Sequence, residues 1–192
     1  MAVATRKLQP DDWAQAALDA IAEGGVGAVA VEALAPKVGA SKGSFYWHFA
    51  DRAALIQAAV ELWERTRTES VIADVEGIDD GRDRLRRLFA SAFANPRGGR
   101  VEAALSARAD DPGVGPVLRR VTERRLSYVA SIFAKLGFDA VDARRRSLIA
   151  YSVYLGFFSL RDASPPSTAE DAAELDDFVG ALLDLLTSSP SR

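Results

Sequence analysis

Apolar residues return every three or four positions along almost the whole chain, and that period leaves little choice of fold. Trp13, Ala17, Leu18 and Ile21 form one stripe, with Pro10 suited to a first helical turn, Asp11 and Asp12 beside it and Gly24 as the stop. Val31, Leu34, Ala35 and Val38 form a shorter stripe ended by Gly39. Pro36 inside it removes a backbone donor and is expected to bend or loosen that helix. Ser41 can cap a third short helix running to Phe49, and Asp51 a long fourth one striped by Leu55, Ala59, Leu62, Trp63 and Thr66. Leu85, Leu88, Phe89, Ala92 and Phe93 stripe the next, which closes near Asn95 and Pro96. Residues 117–136 and 140–160 read as longer helices, "SPPS" at 164–167 as a break, and Leu175, Phe178, Val179, Leu182 and Leu186 as the stripe of the last helix. "RGGR" and "DDPGVGP" are loops by their glycine and proline content. No period-2 alternation competes, so the expected class is all-α.

Composition then removes several functions. The chain has no cysteine, which excludes disulfides, cysteine-held zinc and a thiol nucleophile. The start, "MAVATRKLQPDD", turns polar at once, and the longest apolar run, residues 148–160, is shorter than the roughly 20 residues of a membrane span. A soluble, cytoplasmic protein without membrane contact is expected. Net charge is −3, and basic residues hold no surplus over acidic ones up to residue 52. Any nucleic-acid binding must therefore come from local arrangement, not from a bulk basic patch.

Three features resemble sites and read more simply otherwise. "GVGAVA" (25–30) fits a loose dinucleotide fingerprint, but a helix precedes it where that fingerprint needs a strand. His48 is the only histidine, no carboxylate stands four residues from it, and no nucleophile-elbow sequence occurs. Neither a metal, nor a cofactor, nor enzymatic catalysis is expected, and a helical enzyme using His48 is the weaker alternative. The arginine clusters (Arg82, Arg84, Arg86, Arg87; Arg119, Arg120, Arg124, Arg125; Arg144, Arg145, Arg146) read as solvated helix faces.

The stretch "ASKGSFYWHFADRAAL" (40–55) is harder to explain blandly. On a helical wheel for residues 41–49, Phe45 and Phe49 share the buried side, while Gly43, Ser44, Tyr46 and Trp47 face outward and His48 lies on a flank. Lys42 stands at the helix start, where backbone N–H groups favour phosphate. A tight turn at "VGAS" joins this helix to the one before it. Two short helices so joined, the second with an exposed polar and aromatic face, read as helix-turn-helix, whose second helix enters the major groove.

"VEALAPKVGASKGSFYWHFADRAALI", preceded by "ALDAIAEGGVGAVAV", closely resembles the N-terminal domain of the TetR family of transcriptional regulators, with the match running over residues 13–55. Three positions depart from the family pattern: Ala30, where a capping threonine is frequent, Pro36, where a helix former is usual, and Arg52, near a lysine that commonly binds phosphate. The resemblance implies a DNA-binding domain at 1–50 and a larger helical domain at 51–192 that binds a ligand and dimerises. It implies Lys42, Gly43, Ser44, Tyr46, Trp47, His48 and Arg52 at the DNA surface, and a repressor released from its operator by a small molecule, or else an activator of the same family.

Palindromic double-stranded operators need two recognition helices about 34 Å apart, hence a homodimer. Its interface is expected to use Leu148 and Leu155 with Leu175, Phe178, Leu182 and Leu186. Tyr151, Tyr154 and Phe158 recur on one side of a helix, and with Trp63, Phe89, Phe93 and Tyr128 they are expected to line a pocket for a small, largely hydrophobic effector. A cavity of at least about 300 Å³ separates such a pocket from a solid aromatic core.

Overall fold

A computed structural model of the protein describes residues 8–163 and 172–188. The described residues form ten α-helices: α1 (Pro10–Gly24), α2 (Val31–Lys37), α3 (Lys42–Phe45), α4 (Arg52–Glu64), α5 (Ser70–Glu76), α6 (Gly81–Phe93), α7 (Pro96–Ser106), α8 (Gly115–Lys135), α9 (Ala140–Ala163) and α10 (Ala172–Thr187). No strand occurs among them, so the chain is all-α as its period requires. The break expected at 164–167 lies outside the described residues. "RGGR", expected as loop, belongs to α7 instead: Asn95 caps that helix by accepting from Gly98 N–H at 3.0 Å.

Two cores hold the molecule together. The first gathers Trp13, Ala17 and Ile21 of α1, Leu34 of α2, Phe45 and Phe49 around α3, and Leu55, Ala59, Val60 and Trp63 of α4. It does not stop at residue 50, because Val101 and Leu105 of α7 and Val117 and Val121 of α8 complete it. The second joins Phe89 and Phe93 of α6, Ile132 and Phe133 of α8, Phe157 and Phe158 of α9, and Val179, Leu183 and Leu186 of α10. Ion pairs fasten α1 to the later helices: Arg65 to Asp11 at 3.2 Å, Arg97 to Asp19 at 2.5 Å.

Between α4 and α5 the chain makes a π-helical turn, Arg65–Glu69, so one long rod runs from the first core into the second with a widened turn at its middle. Pro36 lies on an exposed side in the last turn of α2, where one missing donor costs little and the helix ends a residue later.

Three arginines of the expected solvated faces are in fact drawn inward. Arg84 donates from Nε to Ile78 O at 2.7 Å and from Nη2 to Glu76 O at 3.1 Å, tying off the end of α5. Arg146 lies 3.9 Å over the Phe138 ring and donates to Leu186 O and Ser188 O at the end of α10. Arg125 is buried on α8. A planar fork of five donors satisfies several carbonyls at once, which is why arginine rather than lysine serves as a buried strut.

The α9 ring of Phe158 rests on Gly99 of α7, where a Cβ would sit 2.2 Å from the ring. Gly99→Ala should therefore force α7 and α9 apart and cost roughly 1–3 kcal/mol, read as a lower denaturation midpoint. Gly27→Ala, whose added Cβ meets nothing within 4 Å, is the control expected to leave the midpoint in place.

Candidate nucleic-acid interface and cavity

The α2–α3 connection is built from a glycine that only a left-handed residue could replace. Gly39 has φ +68°; its N–H donates to Pro36 O at 3.1 Å and the Ala40 N–H to Ala35 O at 2.8 Å, the paired bonds that end a helix and reverse the chain. Ser41 then opens α3, its Oγ accepting from Ser44 N–H at 3.3 Å while Ser44 Oγ donates to Ser41 O at 2.9 Å. Ala30, by contrast, starts α2 with no side-chain cap.

The second helix is shorter than the wheel assumed. Regular α-helix ends at Phe45, and residues 46–48 continue as a turn, with Trp47 N–H on Ser44 O and His48 N–H on Phe45 O. One turn of helix cannot hold itself in water. Packing does so: Phe45 is wholly buried, edge-on to Trp13 at 5.4 Å and stacked on Phe49 at 5.6 Å. With Phe45 fixed inward, Tyr46 and Trp47 must point out, and they are 58% and 88% exposed. Gly43 is exposed beside them, Ser44 is half-buried, and so is His48, its ring 6.4 Å from that of Phe49.

Lys42 faces outward but bonds Glu32 across the α2–α3 turn at 2.5 Å. That hydrogen bond lowers the Glu32 carboxyl below its ordinary range and raises the Lys42 ammonium above its own. The pair is exposed and solvent-screened, so a phosphate can compete for the lysine. Arg52 is committed elsewhere. Its Nε and Nη2 donate to Val29 O and Val26 O, each at 2.6 Å, clamping α4 to the turn before α2. Those two bonds brace α4 against the turn before α2, while the residue remains exposed.

In the other half of the molecule a cavity of about 120 Å³ opens between α4–α5, α6, α8 and α9. Trp63, Phe89, Phe93, Tyr128, Tyr151 and Tyr154 are among its lining residues. Phe158 instead packs on Gly99 and edge-on to Tyr154 at 5.3 Å. The volume falls below the 300 Å³ expected, because the rings choose each other: Phe93 contacts Tyr154, Phe157 and Phe178 at centroid distances of 5.9, 5.0 and 5.3 Å. The sequence reading also missed the polar end of this cavity. Glu102, wholly buried on α7, accepts from Arg125 Nη1 at 2.6 Å and from the Tyr151 hydroxyl. A carboxylate four residues after Gly98 and next to Val101, on the apolar stripe that ends at Leu105, was the available signal.

The expected dimer residues divide. Leu148 is 53% exposed and Leu155 half-buried. Leu182 and Leu186 are buried within the protomer, and Leu175 and Phe178 lean on the same second core, Phe178 against Phe93. Leu182 and Leu186 thus belong to internal packing, since α10 needs that stripe to dock on α6, while Leu175 and Phe178 stay half-buried. Apolar side chains left outside are Val141, Leu148, Ile149 and Leu160 of α9 and Leu185 of α10.

Comparison with known proteins bears on the first of these two regions. Residues 15–59 match the family of bacterial regulatory proteins, tetR family. A 66-residue stretch is 40% identical to the tetracycline repressor protein class A from transposon 1721 of Escherichia coli, covering 34% of this chain and 31% of that repressor. The match thus spans about a third of the relative's length. The fold as a whole is that of solved regulators: one from Rhodococcus sp. Rha1 (TM-score 0.77, 20% identity, 95% of this chain and 100% of that one) and a TetR-family regulator from Agrobacterium tumefaciens (0.76, 19%, 93% and 97%). FadR from Bacillus subtilis, solved with stearoyl-CoA, superposes with a TM-score of 0.71 at 15% identity over 94% of this chain and 98% of its own. The helix-turn-helix residues thus fall within the stretch that matches the tetR family of bacterial regulatory proteins, and the chain as a whole has the fold of solved regulators of that family.

Proposed function

We propose that the protein is a dimeric, DNA-binding transcriptional repressor whose hold on a palindromic operator is released by a small apolar effector. The observation that carries it is the outward pair Tyr46–Trp47, fixed on a one-turn helix by the fully buried Phe45. An indole ring 88% exposed to water has no folding role to account for it. At the floor of a major groove it supplies an apolar surface for thymine methyl groups, with the Tyr46 hydroxyl and Lys42 reaching phosphate. The groove face itself carries little charge, so binding depends on fit more than on field. Selection of bound sequences from random-pool DNA by the purified protein tests the reading directly; no enrichment of a palindrome would overturn it.

The outer face of α9 supports the dimer. Val141, Leu148, Ile149 and Leu160 together with Leu185 make an apolar surface that a single protomer leaves in water, and a two-fold bundle of α9 and α10 would cover it. Effector control rests on α4, which runs from Arg52, braced against Val26 and Val29 beneath the DNA face, to Trp63 at the cavity wall. A ligand that fits only one setting of that rod changes the spacing of the two recognition helices, and only such differential binding shifts the equilibrium. Among the described residues no helix is long and apolar enough to cross a membrane.

The DNA face predicts a clean separation. Trp47→Ala and Tyr46→Phe should each weaken operator binding, by on the order of 1 kcal/mol for the lost hydroxyl contact, with thermal melts unchanged. Arg52→Ala should do the reverse: it removes two charge-assisted bonds, costs about 1–3 kcal/mol of folding stability, and leaves the slope of log affinity against log salt as it was. Band shifts across a salt series and melting curves on the same preparations read both.

Assembly gives a second contrast. Leu148→Arg or Leu185→Arg should yield a folded monomer in sedimentation at micromolar concentration. Leu182→Arg places an unpaired charge in the second core and should unfold the protomer, costing on the order of several kcal/mol.

A further inference from the structure

The inner end of the cavity holds a cluster of polar groups that operator binding does not use. Glu102 Oε1 accepts from the Tyr151 hydroxyl, which also lies 3.3 Å from Thr122 Oγ1, and Glu102 Oε2 accepts from Arg125 Nη1 at 2.6 Å. Arg125 donates further from Nε to Thr68 Oγ1 at 3.0 Å and from Nη2 to Arg67 O at 3.2 Å, and lies over the Trp63 ring at 4.9 Å. Tyr154 stacks on Tyr151 at 6.0 Å and also interacts with Glu102. Arg125, Tyr151, Tyr154 and Thr68 line the cavity, with wholly buried Glu102 behind them.

Proton bookkeeping fixes what this end can recognise. An ionised carboxylate only accepts, so Tyr151 must direct its single proton toward Glu102 and away from the cavity. Thr122 Oγ1, 3.3 Å away, is then the donor to Tyr151, and what the Tyr151 oxygen offers a ligand is its remaining lone pair. Burial, reinforced by the Glu102 charge, pushes both tyrosines upward, so they stay protonated at neutral pH. Arg125 has five N–H groups, of which three are engaged by Glu102, Thr68 and Arg67, leaving two as donors. A group meeting an acceptor and a donor side by side must itself donate and accept. A hydroxyl does both. A carboxylate meets that lone pair with Glu102 behind it, and a cation meets Arg125; either charge also loses its hydration.

Size narrows the remainder. The cavity's 120 Å³ is near the roughly 150 Å³ of an apolar protein cavity known to hold benzene, so it accommodates one ring and not an acyl chain. Trp63, Phe89, Phe93 and Ile72 supply apolar walls for that ring.

We propose that this cavity is a site for a neutral, single-ring phenol, its hydroxyl donating to the Tyr151 oxygen and accepting from Arg125. The inference rests on the reading of the cavity as the effector site and names the chemistry of the effector. Calorimetric titration of the full-length protein with phenol, toluene and benzoate tests it. Phenol should bind about ten-fold more tightly than toluene, the value of a hydroxyl paired on both sides, and benzoate more weakly than either. Benzoate or toluene binding as well as phenol overturns it, and so does the absence of phenol heat. Glu102→Gln frees the Tyr151 proton and leaves Arg125 uncompensated, so preference should pass from phenol to benzoate; unchanged preference in a folded variant counts against the assignment. Should that variant not fold, Tyr151→Phe keeps the cavity apolar and should bring phenol down to toluene's affinity, whereas retained selectivity rejects the proposed contact. Release of selected DNA is followed in parallel: phenol bound with DNA still held sustains the site and counts against effector-triggered release, while release by another compound without phenol heat does the opposite.

Discussion

A carboxylate with no exposure to water sets the terms for the C-terminal half of this protein. Glu102 is held by Arg125 and Tyr151, and Arg125 in turn holds Thr68 and Arg67 O, so one buried charge ties α7, α8, α9 and the π-helical turn together. Such a pair is no great source of stability, since its desolvation cancels much of its attraction. Removing one partner is another matter and costs about 3–5 kcal/mol, because the charge left behind is stranded. The cluster therefore fixes where four helices meet. Burial is the largest influence on the Arg125 guanidinium and would lower it, but Glu102 together with Tyr154 and Tyr151 outweighs burial and raises it, so the arginine stays charged.

The N-terminal half solves a different problem, how to present one turn of helix rigidly. α3 has too few hydrogen bonds to persist by itself, and its order comes from Phe45 wedged between Trp13 and Phe49. Arg52 then anchors α4 to the backbone of the preceding turn, and Asp51 caps that helix through the Ala54 N–H at 2.8 Å. Phe45 and Phe49 point inward at α3, and Tyr46 and Trp47 are thereby left facing water. The same first core takes in Val101 and Leu105 of α7, so this platform is continuous with the helix that carries Glu102.

Physics decides which of these features could be read from the sequence. The helices were legible because burying one side of a helix imposes a period on the residues, as in Trp13, Ala17 and Ile21. The outward set at Tyr46 and Trp47 was legible for the same reason, although the helix beneath them is only four residues long. Arg84, Arg125 and Arg146 were not, because an arginine in a charged run looks the same whether its fork meets water or helix-end carbonyls. Leu182 and Leu186 show the converse limit: periodicity says that a stripe is covered, not whether α6 or a second protomer covers it. The cavity's volume was beyond reach, since aromatic residues can line a space or fill it, and here Phe93, Phe157 and Phe178 fill much of it.

The π-helical turn is where these two halves meet. In an α-helix each carbonyl is claimed by an N–H four residues on; at Arg65–Glu69 the wider winding shifts that pairing by one, as where Ser70 N–H donates to Arg65 O, and Arg67 O accepts from Arg125. Arg125 also rests on Trp63, one turn earlier on the same rod, so a single guanidinium contacts both the last turn of α4 and the π-helical turn that follows it. The rod is therefore anchored at both ends, by Arg125 on the Trp63 ring and Arg67 O beside the cavity and by Arg52 on Val26 O and Val29 O next to the α2–α3 unit.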